Sequence, residues 1–192
     1  MPVRLEGVSQ VRYALRKFEP DLAKGLQKEM AGFLKPITVK SRGYIKSSSP
    51  LSGWAAGSYS QGRFPFYNST LAKAGITYQT TPTKPNDKGF SYAASIRNKT
   101  GIGAIIETAG RNGPQGQPWV GPNGPAGHNY SHSRNRNAGR QFIAALGSMR
   151  GKGMMQGRAM FKAWDEDGGK ANASVIKAIE SAAKNFASKR GV

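Results

Sequence analysis

Few side chains in this sequence could carry chemistry. Cysteine is absent, which excludes disulfides, thiolate nucleophiles, zinc–thiolate sites and iron–sulfur clusters. The two histidines, His128 and His132, stand four residues apart. That spacing suits a metal ion when both lie on one helix, but GHNYSHS is a poor helix former and no neighbouring carboxylate completes a ligand set. The pair reads as surface histidines. Lys152 lies in GSMRGKG, which has the glycines and lysine of a phosphate loop. It lacks the hydroxyl residue after the lysine, and its glycine spacing is wrong. Asp165, Glu166 and Asp167 could gather a divalent cation. Followed at once by Gly168 and Gly169, they read better as solvated acids at a helix stop. Glu107 is the one acid inside an apolar segment. A tuned catalytic carboxylate needs a second group of matched role. None is near in sequence, so Glu107 reads as a capping or ion-pairing residue. With no nucleophile beside a base, no metal ligand set and no cofactor motif, the expectation is a protein that is not an enzyme.

Binding offers more than catalysis does. Trp54 and Trp119 sit in Gly/Pro-rich loops. Such tryptophans anchor a loop to its own domain or to a neighbouring subunit, and both are candidate inter-subunit anchors. Trp164 falls on a helical stripe and reads as core. Arg111, Arg134, Arg136 and Arg140 are candidates for contact with DNA phosphates, which they can touch without reading bases. The same four suit an acidic protein neighbour. A stacking platform for unpaired bases has only Trp119 and Tyr130 available in this stretch.

The elements that must position these residues follow from apolar spacing. Val8, Val11, Leu15 and Phe18 fall on one helical stripe. Pro20 suits the first turn of a second helix, whose stripe is Leu22, Leu26, Met30, Phe33 and Ile37. Pro36 is expected to kink or end it. Residues 41–66 read as loop. Ile76–Thr80 and Phe90–Ile96 are strand candidates joined by a turn, TPTKPNDKG, and so predict a hairpin. Gly101–Ala109 is a helix or a third strand, since a short apolar run does not distinguish them. Gly110–Gly139 has no periodicity and is mostly Gly, Pro, Asn and Ser. It is expected to be an extended loop or arm, mobile in the free chain and ordered on assembly. Beyond it, Phe142, Leu146 and Met149, then Met160, Phe161 and Trp164, then Val175, Ile179, Ala182, Ala183 and Phe186 mark helices, with MRGKGMMQGR a flexible break. The fold class is α+β: two N-terminal helices, a small antiparallel sheet, a long Gly/Pro/Asn-rich loop and C-terminal helices. The expectation is one domain over 1–192, with 110–139 the loop and 140–190 the helical C-terminal part.

Charge is distributed unevenly. The 192 residues carry 29 Lys and Arg against 10 Asp and Glu, a net +19. No acid occurs between Glu29 and Asp87, nor between Glu107 and Asp165. Stretches of one sign repel themselves and favour a polyanion or an acidic partner surface. No apolar run approaches the roughly 18 residues that span a bilayer. The charged opening segment has no apolar signal core. No membrane partner is therefore expected.

Three segments carry a family likeness. They are the opening VRLEGVSQVRYALRKFEPDLAKGLQKEMAGFLKPITVKSR, the run Ser49-Pro50-Leu51-Ser52-Gly53-Trp54, and Ile105-Ile106-Glu107-Thr108-Ala109-Gly110 with its Glu, small residue and Gly. Together they resemble the neck, or tail-completion (minor tail component), family of long-tailed bacteriophages, over roughly residues 3–110. The resemblance implies a non-enzymatic virion protein that forms a ring, expected to be a hexamer, joining the capsid portal to the tail tube while DNA passes. Its implied partners are further copies of itself, the head-completion or connector proteins, and the tail-terminator or tail-tube proteins. Its implied place is the virion neck, after assembly in the host cytoplasm. The alternative is a cellular nucleic-acid-binding protein without sequence specificity. No helix-turn-helix, RNA-recognition or KH signature is present, which favours the first reading.

Overall fold

A computed structural model of the chain describes residues 17, 20–51, 54, 65–81, 83–84, 87, 92, 94–127 and 130–190. The expected first helix with Val8, Val11, Leu15 and Phe18, most of the segment 82–93, Ser52, Gly53 and His128 lie outside these. The described residues form an α+β fold with six α-helices and one two-stranded antiparallel sheet. In chain order these are α1 (Pro20–Gly43), α2 (Ser69–Gly75), β1 (Ile76–Gln79), β2 (Ser95–Asn98), α3 (Gly101–Thr108), α4 (Ala138–Leu146), α5 (Met160–Asp167) and α6 (Lys170–Arg190). A short 3-10 turn spans Gly153–Met155.

Contacts within the chain gather two compact units. Unit 1 comprises residues 1–39, 77–97 and 166–192, and unit 2 residues 40–76 and 98–165. Both interleave distant segments, so no change of composition along the chain marks a boundary.

The core of unit 1 joins α1 to α6. Ala23, Leu26 and Met30 pack with Ala178 and Ala182, flanked by Phe33, Ala94, Val175 and Ile179. Alanine on α6 lets the two backbones approach closely, while Leu26 and Met30 supply apolar bulk worth about 1.5–3 kcal/mol each on burial. Pro36 does not end α1, which continues to Gly43. Proline removes one ladder bond and crowds the carbonyl four residues back, a cost of about 3 kcal/mol. Burial of Ile37, Thr38 and Ser41 beyond it offsets that cost. The Thr38 hydroxyl donates to the Leu34 carbonyl at 2.9 Å, a back-bond typical of a bent helix. The start of α6 is fixed by the acidic run. The Asp167 carboxylate accepts from Ala171 N at 2.7 Å, while Gly168 and Gly169 turn the chain at positive φ.

Beyond the described strand β1, Thr83 N donates to Tyr92 O at 3.1 Å, so the hairpin expected between the strand candidates is present. The second strand lies later than Phe90–Ile96, at Ser95–Asn98. The Asn98 side chain then accepts from the Thr100 amide and hydroxyl at 3.1 and 3.2 Å, which turns the chain out of the strand. Thr100 in turn caps α3 by accepting from Gly103 N. The ambiguous apolar run Gly101–Ala109 is therefore a helix: it opens on a hydroxyl cap, and Ile102 and Ile106 share one buried face. In the same unit, Asn68 caps α2 through Leu71 N at 2.8 Å, and Arg42 donates to the Ile76 carbonyl.

Candidate functional site

Unit 2 is knitted around two buried charged side chains, Glu107 and Arg158, each bonded to backbone groups. Glu107, at the end of α3, is 2% exposed. Its Oε2 accepts from Ala159 N (2.8 Å) and Met160 N (3.0 Å), and its Oε1 from Phe161 N (2.8 Å). These amides open α5, so a carboxylate from one helix caps the positive end of another. Arg158 is 5% exposed. Its Nη1 donates to Ile106 O (3.2 Å) and Ala109 O (2.7 Å), at the carbonyl end of α3. Its Nε donates to Gly147 O (2.6 Å), just past α4. Burial pushes the guanidinium's pKa down, and the neighbouring Glu107 charge opposes this. Gly157 makes the arrangement sterically feasible, because a Cβ there would overlap Glu107 Oε1. Glu107 is thus the capping residue its sequence context suggested. Arg158 was legible only as one more cation in an acid-free stretch.

The segment expected to be structureless, 110–139, is internally tied within unit 2. Trp119 and Ser131 form a parallel bridge, with Val120 N to Ser131 O at 3.0 Å and Ser131 N to Pro118 O at 2.8 Å. Trp119 Nε1 donates to Ser133 O at 2.8 Å. Ser133 Oγ accepts from Asn135 N, Asn135 Oδ1 accepts from Asn137 N, and Asn135 Nδ2 donates to Gln141 Oε1 at 2.8 Å. Gly139 lies against the backbone of Gln115 and Gly116, closely enough that a Cβ on Gly116 would collide with it. Both ends of the segment therefore meet at the start of α4. Side-chain and turn bonds of this kind leave no trace in hydrophobic periodicity.

The candidate contacts separate into two groups. Arg134, Arg136 and Arg140 are exposed. The Arg136 guanidinium lies over the Trp119 ring, 5.7 Å from its centroid. Arg136 and Arg140 line one shallow cleft with Gln115, Gln117 and Trp119, and Trp119 is 40% exposed. Among the described residues no carboxylate pairs with any of the three arginines. Arg111 departs from expectation. It turns inward, donates from Nη2 to Gln156 O at 2.5 Å and stacks 5.3 Å from the Phe161 ring. A nearby carbonyl and an aromatic face hold it inward, although its buried Nε has no hydrogen-bond partner among the described residues.

Trp54 takes the first of its two readings, an anchor within its own domain, rather than that of an inter-subunit anchor. It is fully buried in unit 2, donates from Nε1 to Pro65 O at 2.7 Å, and meets Tyr67 and Phe142 edge-on at 4.9 and 5.3 Å. It anchors its own loop and offers no surface to a neighbour. Of the two anchor candidates, Trp119 alone is accessible. His132 places Nδ1 3.3 Å from Gly121 O, and no group of three or more metal-ligating side chains occurs among the described residues. The expected flexible break is a closed loop, because Arg150 and Gly157 exchange both backbone bonds, at 2.8 and 2.9 Å. Lys152 rides exposed on it.

Charge is segregated between the units. Unit 2 holds 14 of the Lys and Arg residues but only Glu107 and Asp165 as acids, a net +12 of the chain's +19. Glu107 is spent internally, which leaves Asp165 as the one acid of unit 2 at the surface. Comparison with family models, curated proteins and solved structures finds no match to this chain.

Proposed function

We propose that this chain is a non-enzymatic structural subunit of a tailed-phage neck. Copies assemble into a ring, six in the reading we favour, that joins the portal or connector to the tail tube and lets DNA pass. The observation that carries this reading is the segregation of charge: one unit of the chain presents a surface almost free of acids, as the wall of a DNA passage or the face against an acidic neighbouring ring requires. The loop 110–139 adds an exposed aromatic, Trp119, of the kind that seats in a partner's surface. Mass measurement together with negative-stain imaging at high protein concentration tests the proposal. Closed rings of defined copy number are the expected result. A strict monomer that binds duplex DNA tightly at physiological salt overturns it.

That second outcome is the alternative reading, a nucleic-acid-binding protein without sequence specificity. The placement of Arg136 over Trp119, beside Arg140, favours it specifically.

A further inference from the structure

We infer that the cleft between Trp119 and α4 is a binding site for the phosphodiester backbone of nucleic acid, with Arg136 and Arg140 as its anion ligands and Trp119 as the platform that orients Arg136. The inference deepens the proposed function at one site, and its biological sense rests on DNA moving past that surface. The two fail separately, as the test below provides.

Three observations converge on the cleft. First, the guanidinium of Arg136 is held in place before any ligand arrives. Stacking on an indole restricts a side chain that otherwise has about 2 kcal/mol of rotamer entropy to lose. The indole is itself fixed, through Nε1 to Ser133 O and through the bridge to Ser131. Second, among the described residues the arginines have no carboxylate partner. The sequence holds no acid between Glu107 and Asp165, and Glu107 is buried under α5. In this unit three other cations of the acid-free stretch have partners within it, while Arg134, Arg150 and Lys152 are exposed like the cleft pair. Arg158 and Arg111 bond backbone carbonyls, and Lys162 lies 4.2 Å from the Tyr44 ring. Among the described residues Arg136 and Arg140 make no such bond. Third, both line the same cleft, Arg136 from the turn just before the N-cap of α4 and Arg140 from its first turn. Two guanidiniums lining one cleft, one of them held over an indole, suit successive oxygens of a phosphodiester chain.

Phosphate is favoured over a protein carboxylate by the neighbouring aromatic. A carboxylate side chain has no use for the exposed indole. A nucleotide strand brings both an anion and a flat base, and unpaired bases stack on guanidinium planes as well as on rings. Duplex DNA supplies the same phosphates without free bases. The two sources therefore share the anion chemistry and differ in stacking.

The test is fluorescence anisotropy of labelled oligonucleotides, single-stranded and duplex, against the full chain over a range of salt. Wild-type protein is expected to bind both. Tighter binding to the single strand assigns a stacked base, and equal binding assigns phosphates alone; either supports the site. The double variant R136A/R140A is expected to lower the slope of log K against log salt by about 1.8 on duplex, two phosphate contacts' worth. W119A leaves the charge unchanged but removes the platform, and is expected to weaken binding about twofold to fivefold, with W119F restoring most of it. The variant K177A/K184A removes two exposed charges from α6 and is the control for charge alone. Loss equal to that of R136A/R140A in this control overturns the site, as does unchanged binding by R136A/R140A. Tighter binding of a poly-glutamate peptide than of an oligonucleotide of equal charge also overturns it. Mass measurement on R136A/R140A separates the two proposals: rings that form normally but fail to bind DNA sink the ring's DNA-facing assignment elsewhere while supporting this cleft, and DNA binding without rings leaves the cleft standing and removes the neck reading.

Discussion

Replacing Glu107 with alanine should unfold unit 2 selectively. The carboxylate accepts three backbone N–H groups at 2.8, 3.0 and 2.8 Å and is almost fully buried. Alanine strips all three. A buried donor left without a partner costs about 1–3 kcal/mol, and loss of a helix N-terminal acceptor costs about 0.5–2 kcal/mol. Arg158 meanwhile keeps its three carbonyl acceptors and loses only a neighbouring negative charge that opposes its desolvation. These terms overlap, because water entering the vacated space satisfies part of each. A net loss of about 3–5 kcal/mol is the expected outcome. Glu107→Gln should cost less, about 1.5–3 kcal/mol. Its amide oxygen can serve Ala159 and Met160, but its NH2 group then faces the Phe161 N–H.

Tryptophan fluorescence is the appropriate probe, because Trp54, Trp119 and Trp164 all belong to unit 2. At a urea m-value of about 1–3 kcal/mol/M, the fluorescence midpoint of Glu107→Ala should fall by at least about 1 M. Far-UV circular dichroism, to which α1 and α6 of unit 1 also contribute, should lose part of its signal in a separate, later step. An alanine variant within about 1 kcal/mol of wild type, with an unchanged m-value, would refute the assignment of Glu107 as the cap that binds α3 to α5.

Gly157→Ala places a Cβ against the Glu107 carboxylate and should destabilise unit 2 by about 1–3 kcal/mol in the same fluorescence titration, with little added effect in the Glu107→Ala background, where the obstructing group is gone. Tyr67 donates its hydroxyl to Lys46 O, and burial raises its pKa. The folded chain therefore holds that proton more tightly than the unfolded one. The associated stability is complete below the unfolded value near 10 and is lost as pH rises through the folded value; Tyr67→Phe should flatten this alkaline limb while costing about 1 kcal/mol at neutral pH. Hydrogen exchange on the free chain should protect the Val120 and Ser131 amides, which close the bridge within 110–139, more than the exposed amides of that segment; uniformly fast exchange would return the segment to a mobile arm.

The elements that rest on apolar spacing were readable in the sequence. The stripe Leu26, Met30 and Ile37 on α1 and the alanines of α6 are periodic because burial selects one face of a helix. What the sequence hid is held by groups with no period. Nothing local to Arg158 says that it reaches Ile106 and Ala109, about fifty residues away in the chain. Glu107 was legible as a cap because an acid in an apolar run must be satisfied, but its recipient helix was not. Trp54 and Trp119 look alike in sequence, each a tryptophan in a Gly/Pro loop. They part only in three dimensions, where Tyr67 and Phe142 enclose one while the other keeps an open face under Arg136. Arg111 and Arg136 part in the same way, because a ring and a carbonyl lie within reach of the first.

That division changes what the positive charge of unit 2 means. A net charge counts every guanidinium alike, yet Arg42, Arg111 and Arg158 donate to backbone carbonyls inside the unit. They serve as fixed donors that close helix ends and loops, a task for which a planar, permanently charged fork is better suited than lysine. An absence of acids helps them, since a competing carboxylate nearby would draw the guanidinium off its carbonyl. The acid-free stretch after Glu107 therefore has two causes. One is internal, the many carbonyl ends left by four short helices and a closed loop. The other is external, and it is confined to the side chains that reach solvent, among them Arg134, Arg150 and Lys152, with Arg136 and Arg140 beside Trp119. An external polyanion is thus called for by a smaller set of residues than +12 suggests, and its cleft members, Arg136 and Arg140, can be replaced without disturbing the backbone contacts of Glu107 and Arg158 that hold the unit together.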